Sequence, residues 1–251
     1  MIAAIVTELA KFWRSTVVRA TTILTVLAIA LICSTMLLAV GTANPQLAAK
    51  LGPIANPGGW VGYFGAAAEV TSAGGIFGFG VVLSWIFGRE FTDGTVTGLF
   101  ALPVSRTTIA AAKLIVYMIW AVVVSLVLVL VLIIFGLLFG LGPVTQDALP
   151  AIGRQAILGL LIAAIAAPVA WAATLGRSAL AGIATAIGIL VVAQVAVIAG
   201  ADGWFTFAAP GLWAVSNGSQ VSPLQLVMVI PLALVSFGAV LLAWKRLQLN
   251  R

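Results

Sequence analysis

The chain has 251 residues, of which 63% are hydrophobic and only 7% are charged. Soluble domains carry about 45–50% apolar and about 25% charged residues, so this composition excludes a soluble globular protein. It predicts an all-α integral membrane protein with one transmembrane domain over residues 1–251. His is absent and Cys33 is the single Cys, which excludes a His-centred triad, a Cys-rich zinc site and an intrachain disulfide.

The net charge of +6 would suggest nucleic acid as a partner in a soluble protein. Here the basic residues flank apolar runs, where membrane topology and anionic lipid headgroups account for them. We therefore expect membrane lipids, and no nucleic acid, among the partners.

Residues 1–19 predict an amphipathic N-terminal helix. Apolar residues recur at helical spacing from Ile2 to Val17, whereas Glu8 and Lys11 lie off that stripe. Such a helix can lie in the headgroup plane with Phe12 and Trp13 inserted into the bilayer. The alternative is a cytoplasmic extension of the first membrane span.

Six apolar segments are long enough to cross a bilayer, which takes about 20 residues. They cover about residues 21–40, 71–87, 114–141, 155–174, 179–200 and 224–244. The second is the weakest, because its glycines lower helix propensity. The first could instead be a cleaved secretory signal, but its apolar core exceeds the roughly 7–15 residues of such signals.

The distribution of basic residues sets the orientation. With six spans and a cytoplasmic N-terminus, only Lys50 and Arg154 of the 12 basic residues fall outside the cell. Basic residues concentrate in cytoplasmic loops, so this asymmetry predicts that both termini are cytoplasmic.

The span interiors carry almost no ionisable groups, which argues against an ion-coupled carrier. Gln194 lies near a span centre and is a candidate cargo contact, although an interhelical hydrogen bond is the alternative. Pro168 removes a backbone donor within the fourth span, which predicts a kink there and marks a candidate gate.

The longest cytoplasmic connection, residues 89–113, is too apolar for a solvated linker. Thr92 or Asp93 can cap a short helix starting at Gly94, and Ser105 can cap the helix that continues into the third span. A three-residue apolar face would fill a groove on another protein, or else fold back on the bundle. That face consists of Val96, Leu99 and Phe100, and its charged rim of Glu90, Asp93 and Arg106.

The sequence R-E-x-x-D-G-T from Arg89 to Thr95, then L-P-V-S-R ending at Arg106, resembles the ABC type-2 exporter permeases. The bacitracin-resistance and lantibiotic-immunity branch of that family is the nearest fit. The resemblance implies that the loop holding Glu90, Asp93, Gly94 and Thr95 is a coupling helix for a separate ABC ATPase. It also implies a connecting helix over residues 1–19, including Lys11, Phe12, Trp13 and Arg14, and short extracellular helices within residues 201–223.

The resemblance therefore implies the permease subunit of an ATP-driven exporter in a bacterial plasma membrane. The sequence lacks a G-x-x-x-x-G-K-[ST] phosphate loop, so we expect no enzymatic activity and no bound cofactor in this chain, with ATP and Mg²⁺ held by the partner ATPase. The family's usual assembly is two permeases, here a homodimer, with two ATPases. The expected cargo is an amphipathic or hydrophobic compound such as a peptide antibiotic or drug. The alternatives are an ion-driven secondary transporter or channel and a non-transporting membrane scaffold.

Overall fold

A computed structural model describes residues 1–41, 58–100 and 103–248 of the protein. Within these ranges the secondary structure is helical, without strands. The α-helices are α1 Ile2–Arg14, α2 Thr16–Gly41, α3 Gly59–Thr92, α4 Val96–Phe100, α5 Arg106–Leu138, α6 Leu149–Ile165, α7 Pro168–Leu175, α8 Ala179–Ile198, α9 Ala209–Val215, α10 Pro223–Val227 and α11 Val229–Lys245. A 3₁₀ turn, Gln146–Ala148, precedes α6.

Six of the described helical segments are long and apolar enough to cross a membrane. This confirms the predicted all-α membrane fold with six spans. The segments are Thr16–Ala39, Gly59–Thr92, Arg106–Leu138, Gln146–Leu175, Ala179–Ile198 and Pro223–Lys245.

The second span differs most from the segment predicted by hydropathy, because α3 is a continuous helix of 34 residues. At 1.5 Å per residue it extends over about 50 Å, more than the hydrocarbon thickness of about 30 Å. It packs mainly against α8, α2 and α6 and carries much of the core. Its glycines allow this, because a Cβ at Gly78 would clash with Thr25 and one at Gly80 with Ala186.

The fourth span is interrupted immediately before Pro168. Helix α6 ends at Ile165, a turn follows at Ala166 and Ala167, and α7 begins at Pro168. The Ala167 N–H donates to the Ala164 carbonyl at 3.1 Å. The Ala163 carbonyl, which that N–H would bond in a regular helix, instead accepts the Tyr117 hydroxyl at 2.8 Å. A side chain from α5 therefore satisfies the backbone at the interruption.

The N-terminal helix is separate from the first span. Helix α1 ends at Arg14, Ser15 is extended, and the Ser15 hydroxyl accepts from the Val18 N–H at 3.2 Å at the start of α2. Phe12 is buried with its ring 6.5 Å from Trp85 and 5.9 Å from Trp120, whereas Trp13 is exposed. The expectation that Phe12 inserts into lipid is therefore wrong, because protein rings cover it.

A further close approach occurs near the C-terminal end of α3. A Cβ added at Gly88 would lie 2.5 Å from the Ala179 Cα and 2.7 Å from the Ser178 carbonyl carbon, whereas one at Gly65 would meet nothing within 4 Å. Backbone atoms cannot move aside as a flexible side chain does, so we expect Gly88→Ala to lower the free energy of unfolding by about 1–3 kcal/mol.

The matched control is Gly65→Ala in the same helix, which we expect to be neutral or stabilising by up to about 1 kcal/mol because Ala favours helix. Denaturant unfolding in one detergent measures both variants. Equal stability of the two would contradict the close approach of α3 to the turn before α8.

Candidate functional site

Four charged side chains meet at the end of the bundle that carries α1 and residues 89–113. We call residues 89–113 the coupling loop after the role that the family resemblance predicts. We call Glu8, Lys11, Glu90 and Lys113 the ionic cluster. The Lys113 ammonium lies 2.8 Å from Glu8 Oε2 and 2.9 Å from Glu90 Oε1. The Lys11 ammonium lies 2.9 Å from Glu8 Oε1 and 3.2 Å from Glu90 Oε1. Two carboxylates thus face two ammonium groups, and the cluster is neutral.

The cluster joins three elements that are distant in sequence. Glu8 and Lys11 are one helical turn apart on α1, Glu90 lies in the last turn of α3, and Lys113 lies two turns into α5. Glu8, Glu90 and Lys113 are buried, and the Lys113 ammonium also lies 5.8 Å from the centre of the Trp244 ring. Because buried charges need partners, the cluster fixes α1 against α3 and α5.

Mutual attraction keeps the cluster ionised on the α1 side. Burial raises the pKa of the Glu8 carboxyl, but the ammonium groups of Lys113 and Lys11 outweigh it and leave that pKa below its usual 4.5. Burial lowers the pKa of Lys11, but Glu8 and Glu90 leave it above 10.5. The Glu8 contribution to stability is therefore present above about pH 4.5 and lost as the pH falls through its lowered pKa. The Lys11 contribution is present below about pH 10.5 and lost as the pH rises further.

One oxygen of the cluster has no partner within the described residues. Glu90 Oε2 is buried without a hydrogen bond there. Beside Glu90 lies a cavity of about 130 Å³ whose lining includes Trp85, Arg89, Thr95 and Leu99. A cavity of this size admits water or one polar side chain, and such a group could donate to the carboxylate.

The coupling loop is stabilised by short-range contacts. Asp93 ends α3 and lies 3.0 Å from the Arg89 guanidinium, which stacks over Trp85 at 4.9 Å. Gly94 has φ +67°, a left-handed conformation that glycine adopts without strain. Ser105 caps α5 by accepting from the Thr108 N–H at 3.1 Å. Asp93 thus closes α3, whereas the sequence suggested that it caps the next helix.

The short helix α4 turns part of its apolar face inward. Leu99 packs against the hydrophobic core and Val96 is half-buried, while Thr97 and Gly98 are exposed. Leu99 therefore follows the alternative in which this face folds back on the bundle. The Phe100 side chain lies outside the described residues. The exposed residues between Thr92 and Gly98 are polar or glycine and include Asp93 and Thr95.

Of the predicted charged rim, Asp93 is exposed, Glu90 is buried, and Arg106 lies at the start of α5. The Arg106 guanidinium donates to the Leu247 carbonyl, just beyond the end of α11. Arg106 therefore ties the loop to the last helix.

A cavity of about 390 Å³ lies near the opposite end of the bundle, between α3, α6, α8 and α9. We call it the outer cavity because the predicted topology places this end outside the cell. Its lining includes Glu69 and Ser72 of α3, Gln194 of α8 and Phe207. Gln194 is half-buried there. Polar groups of two helices thus share one apolar recess with an aromatic ring.

Sequence reasoning missed several of these residues. Glu8 was placed on a solvated face and Lys113 at an inner helix end, because a single helix pattern does not reveal which element covers it. Gln155 was taken as the start of a span, yet it is buried and donates to Thr71 at 2.8 Å. The one available signal in α1 was the i, i+3 spacing of Glu8 and Lys11, which allows an ion pair on a helix.

Comparison with known proteins assigns this chain to a family. The profile of the family described as "ABC-2 family transporter protein" matches residues 4–193, most of the chain. The chain belongs to the ABC-2 family of transporter proteins. This membership makes it a membrane-spanning ABC transporter subunit and a multi-pass protein of the plasma membrane, and it confirms the family resemblance.

A curated relative of this chain is the bacitracin transport permease protein BCRB of Bacillus licheniformis. The two are 38% identical over 42 residues, which cover 17% of this chain and 20% of that protein. This short match agrees with the branch that the sequence motifs indicated.

Removal of one buried charge tests the ionic cluster of this ABC-2 protein. Lys113→Met leaves Glu8 and Glu90 facing only Lys11, so we expect a loss of about 3–5 kcal/mol in the free energy of unfolding. Lys113→Met combined with Glu8→Gln restores neutrality and should recover part of that loss. Denaturant unfolding in detergent gives the values.

The comparison variant is Arg89→Gln, which breaks the exposed Arg89–Asp93 pair and should cost less than about 1 kcal/mol. If Lys113→Met cost no more than Arg89→Gln, the cluster would not hold α1 in place.

Proposed function

We propose that this protein is the permease subunit of an ATP-driven exporter, and that a separate cytoplasmic ABC ATPase binds its coupling loop. Membership of the ABC-2 family supports the pairing with an ATPase. The observation that carries the proposal is the ionic cluster, because it ties the connecting helix α1, the last turn of α3 and the first turns of α5 together beside that loop.

ATP and Mg²⁺ are held by the partner in this proposal. The chain has no phosphate-loop motif, so its own residues bind the ATPase and move in response to it. The exposed polar surface of the loop, with Asp93 and Thr95, suits a polar groove on the ATPase. A donor side chain of the ATPase that enters the small cavity would approach Glu90, whose Oε2 has no hydrogen bond within the described residues.

Helix α3 transmits a displacement of the coupling loop to the outer cavity. This helix is continuous from Gly59 to Thr92, so Glu90 near one end and Glu69 within it move as parts of one rigid body. The ionic cluster makes α1 and α5 follow. ATP binding that draws two ATPases together would thereby rock α3 and change the outer cavity. The break at Pro168 gives the neighbouring fourth span a place to bend.

Two permease copies and two ATPases form the working unit in this proposal. Within the described residues, exposed large apolar side chains on α2, α5 and α8 leave ample surface for a second copy. The positive-inside rule supports a cytoplasmic location of the loop and of both termini.

The cargo we propose is an amphipathic or hydrophobic compound such as a peptide antibiotic or drug, moved out of the cell by alternating access. The printed name of the relative, a bacitracin transport permease, supports this class. The outer cavity adds a chemical reason, because Glu69 and Gln194 offer a charge and an amide beside apolar walls.

Coupling is tested with the purified permease and its ATPase reconstituted together. We expect Glu90→Gln and Phe100→Ala each to lower cargo-stimulated ATP hydrolysis about tenfold, equal to about 1.4 kcal/mol, because the proposal assigns both residues to the transmission of closure. Asp147→Asn changes an exposed acid beyond the loop and should retain stimulation. Full coupling in both test variants would refute the assignment of the loop.

Cargo contact is tested in the same assay by the cargo concentration that gives half-maximal stimulation. Glu69→Gln and Gln194→Leu should each raise it about fivefold, as expected for loss of one hydrogen bond of about 1 kcal/mol. Basal hydrolysis should not change. Val195→Ala lies on the same helix outside the cavity lining, and a rise equal to that of Gln194→Leu would show that the cavity is not the contact.

A further inference from the structure

A groove of about 470 Å³ lies between the ends of α7 and α11, on the side that carries the ionic cluster and the described ends of the chain. Its described lining contains two arginines, Arg177 and Arg246, and no carboxylate. We call it the basic groove. The Arg177 guanidinium donates to the Gln248 carbonyl at 2.9 Å and closes one end of the groove.

The wall below the arginines is apolar and faces away from the protein. Trp171, Leu175 and Leu242 line the groove and are 43%, 57% and 55% exposed. On α11 the exposed apolar surface continues through Val235 and Leu234. These side chains face hydrocarbon if the span lies in a bilayer, and Trp171 has the amphipathic ring typical of the membrane interface.

The backbone at Arg177 is a second, independent observation. Arg177 has φ +46°, in the left-handed region. It stands in the tight turn between Leu175 and Ala179, where glycine would be the unstrained residue. An arginine at such a position points to a role for its guanidinium, since strain of this kind concentrates at functional sites.

We propose that the basic groove binds an anionic phospholipid of the cytoplasmic leaflet. Arg177 and Arg246 take the phosphate, for which guanidinium geometry is suited, and Trp171, Leu175 and Leu242 take the upper part of an acyl chain. Basic pockets between helices at this depth of the membrane have the charge that such headgroups require. The apolar wall favours a lipid over an acidic protein surface, which would leave that wall uncovered.

The test uses the full-length protein in a neutral detergent, titrated with phosphatidylglycerol or with phosphatidylcholine, and follows the unfolding midpoint Tm. Phosphatidylglycerol should raise Tm saturably and phosphatidylcholine should not. Arg246→Gln and Arg177→Gly should each weaken the apparent affinity about fivefold, the factor that corresponds to about 1 kcal/mol per basic residue.

Arg177→Gly removes the guanidinium but also relieves the left-handed backbone, so its lipid-free Tm should not fall. It therefore separates lipid binding from a folding defect. The matched control is Arg19→Gln, an exposed arginine at the start of α2 on the same side, which should keep the wild-type affinity.

Four results would overturn the proposal. Phosphatidylcholine could stabilise equally, or inorganic phosphate alone could reproduce the shift. Arg19→Gln could weaken binding as much as the groove variants. Finally, the partner ATPase could raise the Tm of the wild type but not of Arg246→Gln without anionic lipid, which would assign the arginines to a protein contact.

Discussion

The structure depends on one electrostatic constraint: charged groups in a mostly apolar chain must neutralise one another. Glu8, Lys11, Glu90 and Lys113 satisfy it at a single point, with four ammonium–carboxylate distances between 2.8 and 3.2 Å. No three of them balance without the fourth. The amphipathic α1 is therefore an integral part of the bundle, and the coupling loop begins from a fixed position. Separation of α1 would break two of the four contacts, Lys11–Glu90 and Lys113–Glu8, and would expose the remaining Glu90–Lys113 pair.

Two features of the spans support the proposed rocking of α3. Helix α3 runs without interruption past α2, α6 and α8, because small residues at its crossings let the helices approach closely. The neighbouring fourth span has the opposite character, because it is divided at Pro168 and its freed carbonyl is held by Tyr117 from α5. A continuous helix beside an interrupted one permits rocking without loss of backbone hydrogen bonds. Such a loss is costly in the membrane interior, where no water replaces the missing partner.

Hydropathy and charge placement were sufficient to predict the all-α fold and its six spans, because both follow from the physics of the bilayer. They were insufficient for α3, whose glycines predicted a weak helix, although Gly78, Gly80 and Gly88 permit neighbouring elements to pack closely. Periodicity also assigned Phe12 and Glu8 to lipid and solvent, because it defines a face and not what covers it. The direction in which Leu99 points was left open by the sequence for the same reason. The motif around Glu90 and Asp93 led to the correct family, whereas the pairing of Glu90 with Lys113 depends on tertiary contacts that the sequence does not specify.

The contact of Gly88 with the backbone of Ser178 and Ala179 has a consequence for physiology. Gly88 is two residues from Glu90, and Ser178 adjoins Arg177. No flexible side chain separates the segment that would sense nucleotide from the turn that would sense a headgroup. Under the two proposals above, the lipid composition of the inner leaflet would act directly on the coupling loop, alongside nucleotide and cargo.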